Sequence, residues 1–133
     1  RKQLEQMELQ QVMGLKAGLL QKVQTIAGVP MVLEQLNLPS ADAAKQLCFQ
    51  LKQELSNPVV VLAFLADEKP GLAIYIDEKW VAEKGWNATQ MIRECAKEIQ
   101  GGGGGQPFFA TAGGKNADGL SAALASAKGI LGA

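Results

Sequence analysis

Apolar side chains recur three to five residues apart along the first 26 positions, which predicts one amphipathic helix of some 25 residues. The stripe consists of Leu4, Met7, Val12, Leu15, Leu19, Val23 and Ile26. Gly28 and Pro30 end this helix. We expect this helix to project from the domain. Since the chain starts without a methionine or a capping residue, we also expect it to continue from a longer upstream region.

The same periodicity predicts a second helix, which starts at Pro39 and Ser40 and ends at Asn57 and Pro58. Its inward positions are Ala44, Leu47, Cys48, Leu51 and Leu55.

Two more helices are predicted in the second half of the chain. Asn87 caps one of them, with Gln90 at the capping-box position. Its inward positions are Ala88, Met91, Ile92, Cys95 and Ile99. The last helix opens at Asn116 or Asp118. Its inward positions are Leu120, Ala123, Leu124, Ala127 and Leu131.

Four stretches predict strands, because their apolar residues are continuous or alternate with polar ones. In chain order they read "VPMVLEQL", "VVVLAFLA", "LAIYI" and "PFFATA". The turn "DEKPG" joins the second to the third as an antiparallel hairpin. A short polar segment with Trp80, Gly85 and Trp86 then leads to the next helix. The predicted fold class is α+β, with a mostly antiparallel sheet of about four strands and helices packed on it.

Composition indicates a single globular domain and removes several functional classes. Of 133 residues, 47% are hydrophobic and 20% charged, and 13 basic side chains balance 13 acidic ones. Bulk charge thus attracts neither nucleic acid nor membrane, so a polyanion has to be bound locally. The longest apolar run, residues 58–66, is too short to cross a bilayer. We expect a cytoplasmic protein without membrane contact.

The side chains of catalysis and metal binding are scarce. Histidine is absent, which excludes hydrolytic triads and the commonest metal ligand. Cys48 and Cys95 are isolated at apolar helix positions and are expected as buried thiols. The acidic pairs Asp67–Glu68 and Asp77–Glu78 are typical of turns and helix starts. No catalytic or metal site is expected in this chain.

Five consecutive glycines at 101–105 are the least expected feature, because glycine loses the most conformational freedom on folding. Gly101 is explained as the left-handed residue that ends the preceding helix. A phosphate-binding loop would need other residues at Phe109 and Asn116, and a dinucleotide fingerprint would need glycine at Gln106. The remaining glycines form either a flexible linker or a backbone surface that another molecule approaches closely.

The glycine segment and its surroundings resemble the C-terminal domain of alanyl-tRNA synthetases, a member of the DHH-associated superfamily. The matching motifs are "GGGGGQPFFATAGG" and "LSAALASAKG", preceded by the hairpin "PVVVLAFLADEKPGLAIYI" and the helix "AEKGWNATQMIRECAKEI". The resemblance covers about residues 29–133. It implies a globular RNA-binding domain at 28–133 and a helical segment at 1–27 that joins it to upstream domains of the same chain.

This resemblance implies binding to the outer corner of tRNA, where the D and T loops meet. The domain then helps the aminoacylation and editing centres to share one tRNA, expected to be alanine-specific, and in some members it contributes to a homodimer. Both activities would belong to upstream parts of an alanine–tRNA ligase. ATP with magnesium, and zinc in the editing domain, would act there, so this fragment is expected to be neither an enzyme nor a holder of cofactors.

The candidate RNA contacts follow from the glycine segment and from nearby polar side chains. They are Gly102, Gly103, Gly104, Gly105, Gln106, Lys115, Asn116, Arg93 and Lys97. Lys115 and Asn116 are expected at the N-terminus of the last helix, where free amides and the helix dipole favour a phosphate. Phe108 and Phe109 are adjacent on a strand, so one is expected in the core and the other exposed or under the loop, with base stacking as the alternative.

Two other functions remain open at this level. A related domain accompanies the catalytic module of DHH-type phosphoesterases, where it helps to hold single-stranded nucleic acid or small phosphate esters. The Asp-His-His signature of those enzymes is missing here. The second alternative is a module that serves dimerisation alone.

Overall fold

The computed structural model describes residues 14, 17–26, 28–38, 41–55, 57–66 and 69–131. Within them, no helix is both long enough and apolar enough to cross a membrane. The fold within these residues is one sheet with helices on both of its faces.

Six strands form the sheet. Their bounds are β1 Gln24–Ile26, β2 Val29–Leu38, β3 Val59–Ala66, β4 Lys69–Ile76, β5 Gly102–Gln106 and β6 Phe109–Gly113. The order across the sheet is β1-β2-β3-β4-β6-β5. β2 and β3 are parallel, and every other neighbouring pair is antiparallel. The α+β class is confirmed, whereas the prediction of about four mostly antiparallel strands is corrected to six in a mixed sheet.

Besides the helical residues near the N-terminus, four helices in the described part of the chain surround the sheet. They are α1 Ala41–Glu54, α2 Glu78–Lys84, α3 Ala88–Ala96 and α4 Leu120–Leu131. Single 3-10 turns at Lys97–Ile99 and Ala117–Gly119 follow α3 and precede α4. α1 crosses between the parallel strands β2 and β3, as a parallel connection requires.

Two apolar cores lie on opposite faces of the sheet because both faces of its central strands are apolar. The first face, with residues such as Met31, Val61 and Ile74, packs against α2, α3 and α4. The second face, with residues such as Val60 and Tyr75, packs against α1. A ligand at the edge of the sheet would therefore meet α1 on one face and α2, α3 and α4 on the other.

The predicted N-terminal helix is wrong at its end. Gly14 and residues 17–20 are helical, but Gln24–Ile26 form β1 and pair with β2. A helix could not supply the backbone groups that this pairing needs. Leu19 is buried in the core of the second face. The upstream part of the predicted helix lies outside the described residues, so its projection remains a prediction.

The polar segment around Trp80 is a helix, which the sequence reading missed. The Asp77 carboxylate accepts a hydrogen bond from the Lys79 amide at 3.1 Å, and Gly85 ends α2 with φ of 70°. Inside the helix, the Trp80 indole donates to the carbonyl oxygen of Asn57 at 2.6 Å. The cap, the left-handed glycine and the buried indole together fix this short helix.

The end of α3 also differs from the prediction. Gln100, with φ of 54°, takes the left-handed conformation that we expected for Gly101. The Gly101 amide donates to the carbonyl oxygen of Ala96 at 2.9 Å. The reason for glycine at position 101 is therefore steric, because a Cβ atom there would overlap the carbonyl oxygen of Gly113.

Candidate nucleic-acid interface

The glycine run forms an edge strand rather than a loop. β5 lies at the end of the sheet and pairs antiparallel with β6 alone, with Gly103 opposite Ala112 and Gly104 opposite Thr111. A strand without side chains has no alternating pattern, so periodicity could not reveal it. Its pairing with β6 gives the glycines a fixed framework, which argues against a flexible linker.

Alternate glycines of the run are required by the fold. A Cβ atom on Gly101, Gly103 or Gly105 would overlap a carbonyl oxygen of the β6 segment. For Gly103 that oxygen belongs to Thr111. Because backbone atoms cannot move aside as a side chain can, these three positions accept only glycine without a shift of the strand.

Gly102 and Gly104 are different, because nothing in the fold requires glycine there. A Cβ atom on either would meet no atom within 4 Å, and neither residue has a left-handed φ. Their β6 partners, Gly113 and Thr111, are both exposed. We name these four residues, Gly102, Gly104, Thr111 and Gly113, the glycine shelf. It is a flat patch of backbone almost without side chains.

Beside the shelf runs a groove between α1 and the β5–β6 hairpin, with a volume of about 370 Å³. This phenylalanine groove is lined chiefly by Lys45, Phe49, Gly104, Gln106, Phe108 and Phe109. The rings of Phe49 and Phe109 pack against each other with centroids 5.4 Å apart. Lys45 and Phe49 were not predicted as site residues, since they stand on a helix more than 50 residues before the glycines and only the folded sheet brings them together.

Gln106 and Lys115 lie at opposite ends of the shelf. Gln106 is the last residue of β5, whereas Lys115 follows the end of β6, opposite the start of β5. The first and last residues of β5, Gly102 and Gln106, are four residue steps of about 3.4 Å apart, a distance of about 14 Å. The Gln106 and Lys115 side chains are both exposed, so they are accessible to one ligand that spans the shelf.

The prediction that free backbone amides at Lys115 and Asn116 bind a phosphate is wrong. Both backbone amides donate to the carbonyl oxygen of Ile99, at 2.8 and 2.9 Å, and are therefore not free. The Asn116 side-chain amide donates to the carbonyl oxygen of Glu98 at 3.5 Å and makes no capping bond. Lys115 thus offers its ammonium group, while Asn116 chiefly ties this loop to the end of α3.

Arg93 and Lys97 are not brought together with the shelf. Both are exposed on α3 and the turn after it, which pack on the first face of the sheet, whereas the phenylalanine groove opens on the α1 side. The Lys97 ammonium is paired with Glu94 at 3.3 Å. A ligand on the shelf would have to extend around the sheet edge to meet them.

Phe108 and Phe109 are both half-buried, so the expected division into one core and one exposed ring does not hold. They lie in the turn and first residue of the β5–β6 hairpin, where the Phe108 carbonyl oxygen accepts the Ile76 amide at 2.8 Å. Both rings line the phenylalanine groove. Each ring is therefore partly packed and partly exposed in the groove.

Both cysteines are buried thiols, and the described residues lack a cluster of metal donors. Burial raises the pKa of the Cys48 thiol to about 12 and that of Cys95 to about 11. Both are free cysteines, as predicted. The described residues contain no group of three His, Cys, Asp or Glu side chains that could hold a metal ion.

Residues 28–133, nearly the whole described chain, match the DHHA1 domain. The chain belongs to the DHHA1 domain family. This assignment confirms the resemblance stated from the glycine segment and its flanking helices. An alanine–tRNA ligase from Cytophaga hutchinsonii is 44% identical to this DHHA1 domain chain over 130 residues. That match covers 98% of the chain but 15% of the relative, so the chain spans about one seventh of the length of this ligase.

Two solved structures resemble the fold. The crystal structure of the C-Ala domain from Aquifex aeolicus alanyl-tRNA synthetase has a TM-score of 0.72 and 25% identity, and it covers 84% of this chain and 98% of its own. A DHH domain described as a member of the s1p family of ribosomal proteins has a TM-score of 0.55 at 10% identity. It covers 92% of this chain and 30% of its own, and at that identity the likeness concerns the fold alone.

Proposed function

We propose that this chain is the C-terminal tRNA-binding part of an alanine–tRNA ligase and that it docks on the outer corner of tRNA. Residues 28–133 form the binding domain, and residues 1–27 connect it to the parent chain. Aminoacylation and editing, with ATP, magnesium and zinc, belong to upstream domains, which share the tRNA that this domain holds. The DHHA1 family and the 44% identity to a ligase support this role.

Gly102 and Gly104 carry the proposal. Packing explains Gly101, Gly103 and Gly105, but a side chain at 102 or 104 would point into open space. Glycine at such a position is the expected choice when a ligand has to come close to the backbone. The glycine shelf therefore suits a bulky ligand that contacts peptide groups directly.

RNA has the properties that this surface would recognise. Proteins recognise folded RNA largely through shape, stacking and contacts to phosphates and 2′-hydroxyls. The shelf offers shape, the phenylalanine groove offers aromatic rings, and Lys45 and Lys115 offer cations. Since the chain has no net charge, we expect weak binding by the isolated domain, micromolar or looser, that is strengthened by tethering to the parent.

A single substitution on the shelf tests the function. Gly104→Asp places a carboxylate where the RNA backbone would lie, so we expect at least about a tenfold loss of affinity for an alanine tRNA transcript. Gly129→Asp is the matched control, because Gly129 also has open space around it but stands on α4, which packs on the first face. Fluorescence titration of labelled transcript at low and high salt measures both. Wild-type affinity should fall as salt rises.

Unchanged binding by the Gly104→Asp chain, or the same loss with Gly129→Asp, would overturn the shelf as the RNA contact. Gly103→Asp is unsuitable, because its side chain would overlap β6 and disrupt the strand itself. Thermal unfolding of each variant shows whether the fold is intact. A folded variant that does not bind is the informative result.

Two measurements separate this function from its alternatives. A nucleic-acid-holding domain of a DHH-type phosphoesterase would bind a short linear oligonucleotide as well as it binds folded tRNA. Here we expect folded tRNA to bind more tightly, because the rigid shelf matches a preformed surface. A module that serves dimerisation alone would sediment as a dimer and ignore tRNA.

A further inference from the structure

The phenylalanine groove has the charge of a site for an anionic ligand. Among the described residues, Lys45 is the one charged residue in its lining, and none of them is a carboxylate. Two other grooves in the described part of the chain each include a carboxylate, from Glu94 in one and Glu34 in the other. In a protein of zero net charge, a concave site whose described lining has a cation and no acid favours a ligand that carries negative charge.

The aromatic lining adds a second requirement. Three of the four phenylalanines of the chain line this groove, so its ligand needs a flat apolar face as well as a charge. Phe49 and Phe109 pack on each other, whereas Phe108 makes no ring pair with another described aromatic residue. The volume of about 370 Å³ falls within the range of small-molecule sites. Gln106 supplies amide donors and acceptors at the rim.

We propose that the phenylalanine groove holds one unpaired nucleotide of the bound RNA. Its base lies against the open side of Phe108, the Gln106 amide contacts the base edge, and the Lys45 ammonium pairs with the adjoining phosphate. Gly104 belongs to both the shelf and the groove, so a chain that follows the shelf can place a nucleotide in the groove. This inference rests on the proposed function, since it assumes RNA on the shelf.

A charge-removing pair of variants tests the phosphate contact. Lys45→Gln should weaken binding of the alanine tRNA transcript about fivefold to tenfold and lower the salt dependence by about one counterion. Lys52→Gln is the matched control on the same helix, because the Lys52 ammonium lies 5.6 Å from the Tyr75 ring centroid and does not line the groove. We expect that control to bind like the wild type within about twofold.

An aromatic pair of variants tests the base. Phe108→Leu keeps an apolar side chain but removes the flat ring, so we expect transcript affinity to fall by between about fivefold and about 100-fold. Phe108→Tyr keeps the ring and should restore binding. A blunt RNA duplex without unpaired nucleotides should bind the wild type and the Phe108→Leu chain equally, because it has no base to insert.

The outcomes distinguish this inference from the function on which it rests. If the wild type binds tRNA and Gly104→Asp abolishes binding, but Lys45→Gln and Phe108→Leu bind normally, the groove is not a nucleotide site and the shelf proposal survives. Equal losses with Lys45→Gln and Lys52→Gln would indicate diffuse charge and would also overturn it. Absence of wild-type binding would overturn both. Because Lys45 is exposed, its variant stays informative even if the Phe108 variants fold poorly.

Discussion

Glycine occurs at five successive positions from 101 to 105, and neighbouring positions have different physical reasons for it. At Gly103 a Cβ atom would overlap the carbonyl oxygen of Thr111, so the strand pairing itself excludes a side chain. At Gly104 the space is open and φ is ordinary, so the fold would accept a side chain. The sequence alone cannot make this distinction, because both positions are glycine.

Alanine substitutions at these two neighbours should have different effects on stability. We expect Gly103→Ala to lower the free energy of unfolding by about 1–3 kcal/mol, because β5 has to move away from β6. Gly104→Ala should leave stability unchanged or raise it by about 0.4–1 kcal/mol, because alanine restricts the unfolded chain. Urea unfolding followed by circular dichroism measures both. Equal effects of the two substitutions would contradict the alternation.

At the scale of elements, one helix depends on a cap and another begins without one. The Asn87 side-chain oxygen accepts the Gln90 amide at 3.2 Å at the start of α3, as predicted from the sequence. Asn116 stands at the corresponding position before the turn that leads into α4, but its side chain makes no capping bond. Asparagine therefore stabilises the start of α3 by capping, but it does not cap the turn that leads into α4.

Two single substitutions, Asn87→Ala and Asn116→Ala, test this difference. Asn87→Ala should lower the free energy of unfolding by about 1 kcal/mol, since a Gln90 amide loses its partner. Asn116→Ala should lower it less, because the Asn116 side-chain amide donates only a long hydrogen bond of 3.5 Å to the carbonyl oxygen of Glu98. Thermal or urea unfolding compares them. A larger loss at Asn116 would show that its loop contact, and not capping, dominates.

The sequence predicted those elements that have side-chain patterns. The β3–β4 hairpin and α1 have continuous or periodic apolar residues, and both were found with bounds close to those observed. β5 was missed as a strand because its glycines carry no pattern. The parallel pairing of β2 with β3 was missed because the local sequence of β2 does not indicate which strand it pairs with or in which direction. Long-range pairing likewise places Lys45 and Phe49 beside the glycines, so the groove could not be read from sequence.

At the scale of the whole molecule, one sheet separates two apolar cores, and each core contains one buried thiol. Cys48 belongs to the core of the second face and Cys95 to that of the first. Burial raises the pKa of Cys48 to about 12 and of Cys95 to about 11, above the value of 9.0 for an exposed thiol. Each thiol thus stays neutral in the folded chain at pH values where it ionises in the unfolded chain.

This difference in pKa predicts alkaline destabilisation. Below pH 9 both states hold the thiol protons, so the contribution to stability is fully present. As the pH rises from about 9 towards 11, the unfolded chain loses protons that the folded chain keeps, and the free energy of unfolding falls. Urea midpoints at pH 7, 8, 9 and 10 measure the decline.

Replacing Cys48 and Cys95 by alanine should lower stability at pH 7 through lost packing but make the decline shallower. Parallel curves for the wild type and the double variant would show that other groups cause it.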